Sequence, residues 1–208
     1  MLFKDRKEAG RKLGEALQQY KGAKNGLVLG LPRGGVVVAG EVARLLALPL
    51  DVIVPRKIGA PHNPELAIGA IAGSVVLLDR GMVETLGVSD VYIQEAVKHE
   101  KIEAERRLSL FRKEKPEPEF GGKILIVVDD GIATGSTMKA SIAYLKKAKT
   151  AKIVAAVPVG PPDTIQELKQ EVDEVVCLYT PASFYAVGQF YETFPQTSDE
   201  EVIRILHG

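Results

Sequence analysis

Two kinds of apolar pattern alternate along the chain. Short unbroken runs occupy 26–31 (GLVLGL), 48–57 (LPLDVIVPRK), 123–128 (KILIVV), 152–159 (KIVAAVPV) and 174–179 (EVVCLY). Between them lie longer stretches in which apolar residues recur every three to four positions. Leu13, Ala16, Leu17 and Tyr20 share one face over 4–20, and Val38, Val42, Leu45 and Leu46 do so over 36–47. The first kind predicts strands buried on both faces and the second predicts amphipathic helices. The triplet Val36, Val37 and Val38 would suit a strand as well, and the strand run that follows favours a helix there.

Further helices are expected over 89–114, 135–147 and 161–172, the last with proline just inside its start. In the long central helix Ile93, Val97, Ala104, Leu108 and Phe111 form an apolar stripe, and Glu103 stands four residues before Arg107 in the favourable order. LAIGAIA (66–72) and SVVLLD (74–79) are β-like. IGAPHNPE (58–65) has loop composition, and KPEPEFGG (115–122) has that of a linker. In the tail, Ser198 and Glu201 stand at capping-box spacing before a final helix. Strands alternating with helices predict an α/β domain: a parallel sheet flanked by helices, spanning 1–208, with an insertion at about 74–120 and a tail or hood at about 180–208.

Composition narrows the function classes. The 208 residues are 46% hydrophobic and 26% charged, which suits a folded globular domain. Lys plus Arg and Asp plus Glu both number 27, so net charge gives no sign of a nucleic-acid or anionic-membrane partner. The charged start of the chain carries no signal-peptide pattern, and no apolar run reaches membrane-spanning length, so a cytoplasmic protein is expected. The one cysteine, Cys177, lies in an apolar run and reads as an inert thiol.

Two turns carry chemistry. LPRGG follows the first strand: Gly34 and Gly35 allow backbone N–H groups close to a ligand, and Arg33 adds a cation. IVVDDGIATGST ends a strand on Asp129 and Asp130 and then opens a helix through Ala133, Thr134, Gly135, Ser136 and Thr137. Free N–H groups and hydroxyls at that helix start suit a phosphate. An acidic pair beside a phosphate cradle would repel its ligand unless the carboxylates meet hydroxyls, so a sugar phosphate fits both halves. Mg²⁺ would ease the remaining charge conflict. A Walker loop is excluded because TGST lacks its lysine, and no G-x-G-x-x-G follows a strand. The later strands end in VPVG and CLYT, which disfavours a phosphoacceptor receiver domain.

The segment IVVDDGIATGST resembles the phosphoribosyl-pyrophosphate signature of type I phosphoribosyltransferases, closest to a group of uncharacterised members. LPRGG sits where that family keeps its pyrophosphate loop, and VPRKIGAPHNPE resembles the start of its flexible loop. The resemblance implies transfer of phosphoribose from 5-phosphoribosyl 1-pyrophosphate to a nitrogen acceptor, a nucleobase-like ring, with Mg²⁺ as cofactor and a homodimer as the assembly. It implies that Asp129 and Asp130 hold the ribose hydroxyls and that residues 133–137 hold the 5-phosphate. Arg33, Gly34 and Gly35 would meet the pyrophosphate, with a cis peptide in that turn, and Arg56 and Lys57 would close over it. The 6-oxopurine members place an acid before the Thr-Gly, where this chain has Ala133, which argues against that acceptor class. Phe184 and Tyr185, with Phe190 and Tyr191 nearby, could stack on a flat acceptor or form hood core. His62 lies in the flexible-loop segment without a visible partner. The alternative reading is a non-catalytic binder of the donor or of nucleotides, retained as a regulator.

Overall fold

The computed structural model describes residues 2–113 and 115–208. Five strands form a parallel sheet in the order β2-β1-β6-β7-β8: β1 (Gly26–Gly30), β2 (Leu50–Val52), β6 (Ile124–Val128), β7 (Lys152–Val159) and β8 (Glu174–Tyr179). Alternate side chains of these strands divide between two cores. Leu27, Leu29, Leu125, Val127, Ile153 and Ala155 pack under α5 (Ser136–Lys146) and α6 (Pro162–Glu171). Val28, Ile126, Val128, Val154 and Ala156 pack under α1 (Arg6–Ala16) and α2 (Gly34–Leu46). The unbroken apolar runs are explained by this double burial. The valine triplet is helical because α2 must return the chain from the top of β1 to the start of β2.

The expected strand over 48–57 is shorter in the structure, ending at Val52. Arg56 and Lys57 belong instead to a separate antiparallel sheet, ordered β3-β4-β5: β3 (Arg56–Ala60), β4 (Asn63–Ala72) and β5 (Val75–Leu78). IGAPHNPE is therefore a hairpin and not a loop. Its turn residue His62 adopts φ of 64°, and Gly59 lies so close to Pro64 that a Cβ would fall 2.7 Å from that backbone. Gly, Pro and Asn mark the tight, bulged pairing rather than an absence of pairing. Position 74 falls in the turn between β4 and β5, so the second sheet straddles the expected insertion boundary.

A short helix, α3 (Arg80–Thr85), not expected from the pattern, precedes the long α4 (Asp90–Arg112). Ser89 caps α4 through the Tyr92 N–H. The expected end of this helix at Glu114 lies outside the described residues. Its stripe packs as anticipated: Ile93 joins Ile58, Ile68 and Ile71 of the second sheet, and Phe111 is wholly buried against Val52 and Val202. Glu103 accepts from Arg106 and Arg107 on the solvated side, which holds its carboxyl down at about 2. The last helix, α7 (Asp199–His207), is capped by Ser198, whose hydroxyl accepts from the Glu201 N–H at 3.2 Å. Among the described residues no helix is long and apolar enough to cross a membrane.

Candidate active site

Strand order reverses between β1 and β6, since β2 lies to one side and β7 and β8 to the other. The turns leaving the carboxyl ends of these two strands must splay apart, and a crevice opens between them. Gly30 pairs with Val128, so LPRGG and the acidic pair leave the sheet side by side. The Pro32–Arg33 peptide is cis. The contact is tight enough to require glycine: a Cβ on Gly34 would fall 1.9 Å from Asp130 Oδ2, and one on Gly35 2.8 Å from Asp129 Oδ1. Any larger residue at 34 would displace the carboxylate.

The two acids are partly buried and each has one oxygen engaged. Asp129 Oδ1 accepts from the Asp130 N–H at 2.8 Å, and Asp130 Oδ2 accepts from Arg6 Nε at 2.7 Å. Among the described residues, no other side chain or backbone N–H meets Asp129 Oδ2 or Asp130 Oδ1, and the two carboxyl groups share a hydrogen bond with each other. Burial pushes the Asp129 carboxyl well above its ordinary range, and the neighbouring Asp130 charge adds to the effect. Asp130 is also raised by burial, but the charge and hydrogen bond of Arg6 restrain it. Two acids held this close and this dry favour a ligand that brings hydroxyl donors or positive charge.

Residues 133–137 form the second wall. Gly135 adopts φ of 72°, which turns the chain into α5, and the Thr134 and Ser136 hydroxyls lie 2.9 Å apart at its start. Thr164 on α6 braces this turn by donating to the Ala133 carbonyl at 2.7 Å. Across from it the second sheet contributes Lys57. A cleft of about 650 Å³ is lined by Lys57, Thr134, Ser136 and Lys139, by the acids Glu65, Asp79 and Glu167, and by apolar residues of β4 and β5. Lys57 also exerts a favourable field on Asp129.

The structure thus sets Gly34 and Gly35 against Asp129 and Asp130, and sets Lys57 across a cleft from Thr134 and Ser136, with Lys57 near enough to act on the Asp129 charge. Arg33 stands at the edge of the crevice, 3.7 Å from Asp199 at the start of α7. Arg56 is separated from this group. As the strand neighbour of Lys57 its side chain takes the opposite direction, and Nε bonds Glu100 of α4 at 2.7 Å. The tail aromatics divide as well. Phe184 packs on Phe190 with ring centroids 5.2 Å apart, whereas Tyr185 is 89% exposed. Tyr191 is buried, and its hydroxyl donates to the Asp130 carbonyl at 2.5 Å. Cys177 donates to the Tyr179 carbonyl, and burial raises its thiol to about 11, which suits an inert role.

Sequence reasoning missed Arg6 and Asp199. Arg6 lies 124 residues from Asp130, and neither charged residue sits in a pattern that marks it. Asp199 could have been read only as a helix-start acid, which is its local role on α7.

Comparison with known proteins bears on the family and the fold. The family model described as phosphoribosyl transferase domain matches residues 3–192. A Mycobacterium tuberculosis protein named "Putative phosphoribosyl transferase" is 47% identical over 206 residues, which is 99% of this chain and 46% of the relative. The chain therefore spans about half the length of the curated relatives it matches. The crystal structure of TT1426 from Thermus thermophilus is 40% identical, covers 99% of this chain and 98% of its own, and superposes with a TM-score of 0.82. A structure named purine phosphoribosyltransferase from Pyrococcus horikoshii shares the fold, with a TM-score of 0.51 at 17% identity over 93% of this chain and 92% of its own. With a family model that matches residues 3–192, nearly the whole chain, this chain belongs to the phosphoribosyl transferase domain family.

Proposed function

We propose that this domain transfers phosphoribose from 5-phosphoribosyl 1-pyrophosphate to a nitrogen of a nucleobase-like acceptor. The observation that carries this reading is the pairing, at one topological switch point, of two half-free carboxylates with a phosphate-type turn. Asp129 Oδ2 and Asp130 Oδ1 would accept the two ribose hydroxyls, and the 134–137 N–H groups and hydroxyls would hold the 5-phosphate. The LPRGG backbone and Lys57 would face the pyrophosphate. In the step itself the anomeric C–O bond breaks and pyrophosphate leaves with the electron pair. A C–N bond to the acceptor forms, and the acceptor nitrogen releases its proton to solvent. Positive charge develops on the ribose ring and negative charge on the leaving group, so the cations at the crevice edge would act where charge appears.

The residues fit Mg²⁺ as a partner of the donor. Two carboxylate oxygens stand free at the crevice. No group of three or more His, Cys, Asp or Glu is assembled among the described residues, so a cation would be held largely by donor phosphates and water. Bound there, it would neutralise the leaving pyrophosphate. Ala133 leaves no acid before the Thr-Gly, which weighs against 6-oxopurine acceptors.

The test is incubation with the donor, Mg²⁺ and a panel of bases, with release of pyrophosphate as readout. Turnover with one base supports the proposal. Donor binding without turnover on any base would favour a regulatory binder. Asp129→Asn combined with Asp130→Asn is expected to weaken donor binding about 100-fold or more, the scale for losing two charge-assisted hydrogen bonds. Unchanged binding would remove the crevice as the donor site.

A further inference from the structure

We infer that Arg6 is the positioning residue of the acidic pair, fixing Asp130 so that one oxygen alone faces the sugar. This rests on the donor-site reading above and assigns a role to a residue outside either turn. Three contacts fix the plane of its guanidinium. Nε donates to Asp130 Oδ2 at 2.7 Å, an Nη donates to the Pro195 carbonyl at 2.7 Å, and the guanidinium carbon lies 3.7 Å above the centroid of the Phe194 ring. Phe194 in turn packs on Tyr191 with centroids 4.8 Å apart, and Tyr191 holds the Asp130 carbonyl. One aromatic pair thus anchors both the side chain and the backbone of the same acid.

The arrangement is sheltered. The Arg6 side chain is 11% exposed and that of Asp130 15%, so salt screens this ion pair less than a surface one. Space has been reserved for it, since a Cβ on Gly34 would also fall 2.7 Å from Arg6 Nε. A lysine would not reproduce it, because only a planar fork can bond a carboxylate edge, bond a carbonyl and stack on a ring together. The consequence lies in counting acceptors. Asp129 is restrained by the Asp130 N–H, Asp130 by Arg6, and the pair presents two single oxygens to two vicinal hydroxyls. Without Arg6 the Asp130 carboxylate can rotate and its match to the diol is lost.

The test measures diol recognition directly. Ribose 5-phosphate and its 2,3-dideoxy analogue are competed against the donor in wild type, Arg6→Gln, Arg6→Lys and Asp130→Asn, with thermal melting as a check on folding. Arg6→Gln is expected to reduce the preference for the diol about tenfold, and to have no further effect in an Asp130→Asn background. Arg6→Lys should recover affinity in part without recovering the preference. Phe194→Leu, which removes the stacking platform and leaves both ionic partners, should lower the preference about threefold and serves if Arg6→Gln fails to fold. An undiminished preference in folded Arg6→Gln, or an equal loss in the Asp130→Asn background, overturns the inference while the donor site stands. Absence of donor binding by the wild type overturns the donor-site reading, and the inference falls with it.

Discussion

The two sheets differ in what surrounds them. Strands β1, β6 and β7 are buried on both faces, with Leu125, Ile126, Val127 and Val128 wholly inaccessible. The antiparallel sheet is covered by α4 on one face and, through Ala70 and Ala72, by the α5 core on the other, yet Leu77 and Leu78 remain 37% exposed at its far strand. The first sheet fixes the acids and both glycine turns by close packing, where a misplacement of one methyl group would be felt. The second sheet delivers Lys57 and one cleft wall from a hairpin whose tip, His62 to Glu65, is exposed. Fixed recognition of the invariant part of a ligand suits the first, and movement over the reacting part suits the second.

Four measurements would break or sharpen this contrast. Leu125→Ala removes a fully buried side chain from the first sheet and is expected to cost about 3 kcal/mol, or roughly 10 °C in Tm. A loss below about 1 kcal/mol would mean the parallel core is loosely packed. Lys57→Ala should lower turnover roughly 100-fold, the usual effect of removing one stabilising group from a developing anion, with donor affinity changed less than about threefold. Equal losses in both would make Lys57 part of the fixed donor site and erase the division of labour.

The third measurement concerns pH. Burial raises the Asp129 carboxyl above its unfolded value, so the folded chain holds more protons between the two values. Stability therefore falls as pH rises through that interval. Asp129→Asn cannot ionise and should melt above the wild type at pH 8, with the gap closing toward pH 4. A lower Tm for the variant at pH 8 would show that the ionised acid stabilises the fold. Smallest of all, Leu78→Ala at the exposed strand should alter stability by no more than about 0.5 kcal/mol by chemical denaturation.

How much was legible in sequence follows the same division. The first sheet was readable because double burial writes itself as unbroken apolar runs, and both of its glycine-rich turns lie next to their strands. The antiparallel hairpin was hidden because β3 and the start of β4 face solvent on one side, with Gly59, Pro61 and Pro64 interrupting the alternation. Lys57 and Arg56 looked like a pair, yet strand geometry sends adjacent side chains to opposite faces, and Glu100 claims Arg56. Arg6 was invisible because nothing local to LFKDRKEAG requires a distant carboxylate. Phe190 and Tyr191 read from composition as hood core or subunit interface ahead of a stacking surface, and packing against Phe3 and Tyr179 makes them core.

The support for Asp130 has a temporal consequence. Its guanidinium partner comes from residue 6, whereas the carbonyl that holds this guanidinium and the tyrosine that holds the Asp130 backbone come from residues 195 and 191. Backbone bonds from Glu192 to Phe3 and from Thr193 to Lys4 join the same two segments. During ribosomal synthesis Asp130 emerges after Arg6 but well before Tyr191 and Pro195. A nascent chain halted near residue 180 would carry both signature turns and the entire parallel sheet, yet hold Asp130 without its second anchor. The support for Asp130 would be complete only once residues 191–195 have left the ribosome, so a chain stalled before them would hold this acid less firmly.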